Sequence, residues 1–248
     1  MAFRTFLKTL GSNAPRVDTV LDTTTVRPGA RLGATVTVQG GGVDVHIERL
    51  TLELVTRVED KESTETGWTN PGVVASQSTD SFDLPAGETL RFRLDVDVPW
   101  EMPITHVHGR PLRGARAAVR TCLDVDRAVD RGDFNEIAVH ALPAQDMIVE
   151  AFGALGFRLE EAEVKKGQVI GGKNQTSPFW QELEYYFPAD YGLPHGTQLE
   201  VATIARADSL DLITGPHGPY PFAYADMNLN DLTKWLDSHC RSLWHQNR

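Results

Sequence analysis

The sequence predicts an all-β protein made of two β-sandwich domains, with a short amphipathic helix near each end. Two alternating runs on either side of Gly40-Gly41-Gly42 carry most of that reading. In the first, Leu32, Ala34, Val36 and Val38 share one face and Gly33, Thr35, Thr37 and Gln39 take the other. In the second, Leu50, Leu52 and Leu54 oppose Arg49, Thr51, Glu53 and Arg57. A period of two puts one face of a strand in the core and the other in water. Further runs of the same kind extend the pattern.

Taken in chain order, Phe3, Phe6, Leu7 and Leu10 fall at helical spacing with Arg4 and Lys8 opposite, and Gly11 ends the pattern. This is a short amphipathic helix, docked on the sandwich or turned to a membrane or partner. Arg27-Pro28-Gly29 sets a turn before the first strong strand. Residues 59 to 80 are polar and read as a long hairpin or loop. Leu90, Phe92, Leu94, Val96 and Val98 alternate with Arg91, Arg93, Asp95 and Asp97, and Pro99 ends the run because it cannot donate to a ladder. Ala117, Val119, Thr121, Leu123 and Val125 form another strand, with Arg120, Cys122 and Asp124 facing away; Ile137 and Val139 lie on a last one.

Pro143 marks a boundary. The reading assigns 1–143 to an N-terminal sandwich with its helix, 144–225 to a smaller C-terminal sandwich and 226–248 to a C-terminal amphipathic helix. Met147, Ile148, Ala151, Phe152 and Leu155 suit a short helix, while Gly153 and Gly156 leave a bulged strand open. Strands resume at Phe157–Val164, Glu182–Phe187, Leu199–Arg206 and Ser209–Ile213. The final helix carries a stripe of Leu229, Leu232, Leu236, Cys240 and Leu243, with Trp235 and Trp244 beside it and Asn228 or Asn230 as its cap.

The chain's 248 residues are 41% hydrophobic, enough to build a real core, so global disorder is excluded. A net charge of -10 repels phosphate backbones and argues against nucleic-acid binding. Cys122 and Cys240 are the two cysteines, far apart, which fits a reducing compartment and no disulfide framework. The apolar run at Met1–Lys8 is too short for a signal peptide, and no run is long enough to span a bilayer. The expectation is a cytoplasmic protein.

The chemical motifs are incomplete. Gly167–Asn174 nearly matches a phosphate loop, but Asn174 replaces the Mg²⁺-holding hydroxyl and Pro178 follows where a helix is needed, so a glycine-rich hairpin loop is the reading. His106-Val107-His108 offers two metal ligands where a site wants three or four. Asp124, Asp126, Asp130 and Asp133 fail the EF-hand pattern, since the fifth, sixth and twelfth positions from Asp124 are Ala128, Val129 and Asn135. Cys122 lies on a polar face open to solvent, with no histidine placed beside it. Cys240 is on the apolar stripe and reads as core. Trp68, Trp180, Tyr185 and Tyr186 are candidate stacking platforms for a small ligand, Tyr185 also reading as core. No catalytic residue, cofactor or metal is assigned.

The order of several short features resembles the sporulation-control protein M family. They are Val17-Asp18-Thr19, Arg27-Pro28-Gly29, Gly40-Gly41-Gly42, Pro99, Pro103-Ile104-Thr105, Thr121 to Asp126, Asp130-Arg131 with Asp133, and Pro178-Phe179 with Gln181-Glu182. The similarity runs from about residue 3 to about residue 215. It implies an arrestin-like fold, with two β-sandwich domains joined by a short link. It also implies a cytoplasmic, non-catalytic regulator of sporulation or cell-cycle progress that acts through unidentified protein partners or a second copy of itself. No catalytic residue is carried over. Some relatives carry a long glycine-rich or acidic tail, whereas this chain ends in an amphipathic helix.

Two surfaces follow as expectations. Asp130, Arg131 and Asp133 are placed at the domain junction. Leu229, Leu232, Trp235, Leu236 and Leu243 are a partner surface if the last helix is undocked and core if it is docked. An exposed strand edge is the other route to a partner. The rival readings are a metal-dependent enzyme using His106, His108 and the aspartates, and a small-ligand-binding sandwich.

Overall fold

A computed structural model describes residues 14–59, 70–125 and 128–244, with backbone alone at 128–132. The expected N-terminal helix and Trp68 lie outside these residues. Three sheets dominate, antiparallel throughout except for one short parallel pair. The first sheet joins β1 (Arg16–Leu21), β3 (Arg31–Gln39) and β7 (Thr89–Asp97) in the order β1-β3-β7. The second runs β2-β11-β10-β4-β5, from β2 (Thr25–Val26), β11 (Ala128–Val139), β10 (Ala117–Val125), β4 (Val45–Thr56) and β5 (Gly72–Ser78), with β6 (Phe82–Leu84) also paired to β4. A small ribbon pairs β8 (His106–Val107) with β9 (Arg110–Pro111).

The alternation places these sheets face to face. Leu32, Ala34, Val36 and Val38 of β3 are fully buried, as are Leu50, Leu52 and Leu54 of β4, and all belong to one core. Gly29 has a positive φ of 79° at the turn into β3, and the Trp100 ring lies where a side chain at that position would go. Glycine alone fits there.

The chain then forms α1 (Pro143–Ala154), settling the open choice as helix. Pro143 starts it, and the Gln145 Oε1 accepts the Leu142 N–H at 3.0 Å. Ile148, Ala151 and Phe152 are buried, while Gly153 faces open space, so it weakens helix propensity without disturbing packing.

The third sheet is a five-stranded meander of β12 (Arg158–Lys166), β13 (Phe179–Tyr186), β14 (Gln198–Ala205), β15 (Ser209–Thr214) and β16 (His217–Ala223). One face packs Leu183, Tyr185, Leu199, Val201, Leu210 and Leu212 into the same core as α1 and α2 (Leu229–Trp244). The layer that meets this face is helical. The Asn228 Oδ1 accepts the Asp231 N–H at 2.9 Å and caps α2, so of the two asparagines it is Asn228 that serves.

Candidate functional site

Three features are exposed to chemistry or partners: the last helix, the seam between the N-terminal sheets and the third sheet, and the third sheet's polar face. In α2, Leu232, Leu236 and Cys240 are buried, and burying a leucine is worth roughly 1.5–3 kcal/mol. Trp235 stacks on His239 and meets Tyr220 and Phe222 edge-on, and the Thr214 hydroxyl lies 2.8 Å from His239 Nε2. The helix is docked. Leu232 and Leu236 are therefore core and present no partner surface; Leu229 and Trp235 are half-buried, and Leu243 is 40% exposed.

Of the three expected junction residues, the structure describes the side chain of Asp133. The Asp133 carboxylate accepts the Thr19 N–H at 2.8 Å and hydrogen bonds from Phe134 and Asn135, so it ties β11 to β1 inside the N-terminal half. Its neighbour in that tie is the 2.7 Å contact between the Thr19 and Thr121 hydroxyls. The backbone of Asp130 and Arg131 pairs with Leu123 and Cys122 of β10, again within that half, and their side chains lie outside the description.

The seam itself is made by other residues. The Gln181 side chain accepts the Ile104 N–H at 2.9 Å and donates to its carbonyl at 2.8 Å. Glu101 accepts from the Thr176 backbone at 2.8 Å and hydroxyl at 2.5 Å, and from the Ser177 N–H at 3.3 Å. Backbone bonds run from Glu59 N–H to the Val164 carbonyl and from Ala162 N–H to the Arg113 carbonyl. Arg113 also pairs with Glu160 and Glu161. The sequence signal for this seam was modest: Gln181 and Ile104 appear in it only as parts of the resemblance.

The remaining candidates fall apart as chemistry. His106 stacks on His140 with ring centroids 4.9 Å apart and its Nδ1 is 2.9 Å from the Thr105 hydroxyl; burial and the neighbouring imidazole lower its pKa. His108 faces Asp146, Asp124 faces Arg49, and Asp133 is engaged with Thr19, so these residues do not converge. Cys122 corrects an expectation: it is 5% exposed, not open to solvent. Burial and Glu53, whose Oε2 is 3.5 Å from Sγ, push its thiol up to about 12. A thiol held protonated is a poor nucleophile. Cys240 is core, as its stripe implies, and burial pushes it up to about 12 as well. Gly167–Asn174 is a closed loop, not a phosphate cradle: Gln175 accepts the Val169 N–H and donates to the Gly167 and Ser177 carbonyls, and β13 follows. Tyr185 is fully buried, so it offers no platform.

The polar face of the third sheet gathers charge. Register sets Glu163 across from Glu182, and Glu184 across from both Glu161 and Glu200. The side-chain oxygens of Glu163, Glu182 and Glu184 come within 4.8 Å of one another, the group that among the described residues best suits a metal ion. Lys165 pairs with Glu182, Glu163 and Glu59. Burial pushes the Glu182 carboxyl up to about 7 against the pull of Lys165. Burial and neighbouring carboxylates likewise raise Glu163 and Glu184. For Lys165, burial acts to lower the pKa, but the carboxylates outweigh it and the net shift is upward. Sequence reading missed this group because Glu163 comes from β12 while Glu182 and Glu184 come from β13, and the register that joins them is not written locally.

Strand edges differ in character. β7 ends its sheet with Arg91, Arg93, Asp95 and Asp97, and β16 ends the third sheet with Pro219 and Pro221, both devices that block strand addition. β5 ends the second sheet with Gly-Val-Val-Ala-Ser-Gln-Ser, which carries neither charge nor proline. Among the described residues no helix is long and apolar enough to cross a membrane.

Comparison with known proteins follows the same architecture. Sporulation-control protein spo0M of Bacillus subtilis (strain 168) is 29% identical over 211 residues, which span 85% of this chain and 78% of the relative. The crystal structure of Spo0M, sporulation control protein, from Bacillus subtilis superposes with a TM-score of 0.71 at 26% identity, covering 92% of this chain and 98% of that one. The Spo0M family, described as SpoOM protein, matches residues 3–214. This chain is a member of the Spo0M family.

Proposed function

We propose that this chain is a cytoplasmic, non-catalytic regulator of sporulation or cell-cycle progress that works by binding other proteins. One observation carries the reading: likeness to a sporulation-control protein extends over nearly the whole fold, both halves included. The uncharged β5 edge supports a protein-binding mode, because an extended segment of a partner can add to such an edge through main-chain hydrogen bonds. In this reading the two halves, 1–143 and 144–225, act as separate domains held by the seam through Gln181 and Glu101, with α2 docked on the second.

The test is genetic and biochemical together. The gene is deleted in its own host and restored as wild type or with Val73→Lys and Ser76→Lys on β5. The reading expects altered spore yield or division timing on deletion, rescue by wild type, and loss of one reproducible crosslinked partner with the β5 variant. Normal sporulation and division after deletion would overturn the regulatory role. Full rescue by the β5 variant with the partner retained would move the contact off that edge.

A further inference from the structure

The polar face of the third sheet carries a half-open pocket of about 260 Å³. Trp180, Val169 and Ile213 give it an apolar side, and Glu182 and Glu200 stand with Lys165 in its lining. Glu182 is fully buried; Lys165 reaches its Oε1, and Oε2 receives no hydrogen bond. A buried carboxyl oxygen without a donor is costly, and protonation, a cation or a donor from outside relieves it. Like charges facing each other across a ladder add to that demand, and here Glu163 faces Glu182 and Glu184 faces Glu200. The chain's own ammonium shows that the lining suits a cation: Lys165 Nζ pairs with Glu182 and lies 5.8 Å from the centre of the Trp180 ring.

We propose that this pocket binds an organic cation, an alkylammonium or guanidinium group. Its head sits between Glu182 and Glu200, and its carbon chain lies against Trp180, Val169 and Ile213. The apolar side favours such a ligand over a hydrated divalent ion, which wants oxygen ligands all around. Lys165, about one-third exposed, gives way toward Glu163 and Glu59 as the ligand enters. The source is either a free small amine or an arginine or lysine side chain presented by another protein. The inference goes beyond the regulatory reading, since a free amine needs no protein partner.

Calorimetry of the full chain with n-butylguanidinium tests it, with n-butanol and magnesium chloride as controls. Butylguanidinium binds and n-butanol does not. Glu200→Gln, at an exposed position that leaves the fold intact, weakens binding by about ten-fold, as does Trp180→Leu. Lys165→Met strengthens it. An arginine tripeptide with blocked ends separates the sources: binding at least as tight as butylguanidinium assigns a protein side chain, and failure to bind beside a bound butylguanidinium assigns a free amine. No heat from butylguanidinium at about 10 mM, weaker than any useful site, would overturn the proposal. So would equal affinity in both variants, or binding of magnesium alone.

Discussion

The Gln181 carboxamide grips the backbone of Ile104 with both ends, accepting its N–H at 2.9 Å and donating to its carbonyl at 2.8 Å. A single side chain on β13 thus satisfies both polar groups of a buried residue that lies 77 positions earlier. It acts as a borrowed strand, pinning the third sheet to the loop after β7.

Gln181→Ala leaves both groups of Ile104 without a partner. Each orphaned buried group costs about 1–3 kcal/mol. The urea midpoint falls accordingly. Gln181→Glu keeps the acceptor and removes the donor, and in neutral buffer the midpoint falls as well because the Ile104 carbonyl then faces a carboxylate oxygen instead of an N–H.

Stability follows the titration of Glu182. Its folded pKa of about 7 lies above the unfolded value of about 4.5. Its contribution is therefore present in full below the unfolded value and is lost as pH rises through about 7. Glu163 and Glu184, also raised, act in the same direction. Asp211 is lowered, chiefly by hydrogen bonding from Arg206, so its contribution disappears as pH falls below the usual aspartate range. The Glu182 contribution to the melting temperature declines from pH ~4.5 to ~7, opposed by His106 and His239, whose lowered pKa values make stability rise with pH, and Glu182→Gln removes that declining part. A slope unchanged in the variant would assign it to other groups.

Docking of α2 predicts unequal effects along one stripe. Leu236→Ala opens a cavity in the core and costs about 2–5 kcal/mol. Leu243→Ala, at a position 40% exposed, stays within about 0.5 kcal/mol of wild type. Chemical denaturation of both variants checks the pair, and comparable losses would mean that the exposed end is packed too.

Neither cysteine is expected to react in the folded protein. Both thiols are buried and held near 12, so a thiol reagent at neutral pH modifies them only as fast as the chain unfolds. Rapid labelling of Cys122 under native conditions would contradict its burial beneath Arg120 and Glu53, whose ion pair is 2.6 Å long.

The sequence alone determined the strands whose two faces differ. Leu32 to Val38 and Leu50 to Leu54 alternate because each has one wet side, and a period of two is written locally. It also determined α2, since helical spacing is a local signal as well, and narrowed its cap to two asparagines, between which the structure selects Asn228. β10 lost that legibility: it is central in its sheet and buried at nearly every position, so Cys122, on its nominally wet side, is covered. Tertiary structure alone decided what meets across the chain. The Gln181–Ile104 clasp, the tie from Asp133 to Thr19 and the carboxylates of Glu163, Glu182, Glu184 and Glu200 are set by register and sheet stacking between distant segments. Pattern within a window records which side of a strand is apolar; it holds no record of which strand lies next to it, and the polar contacts of this protein are made there.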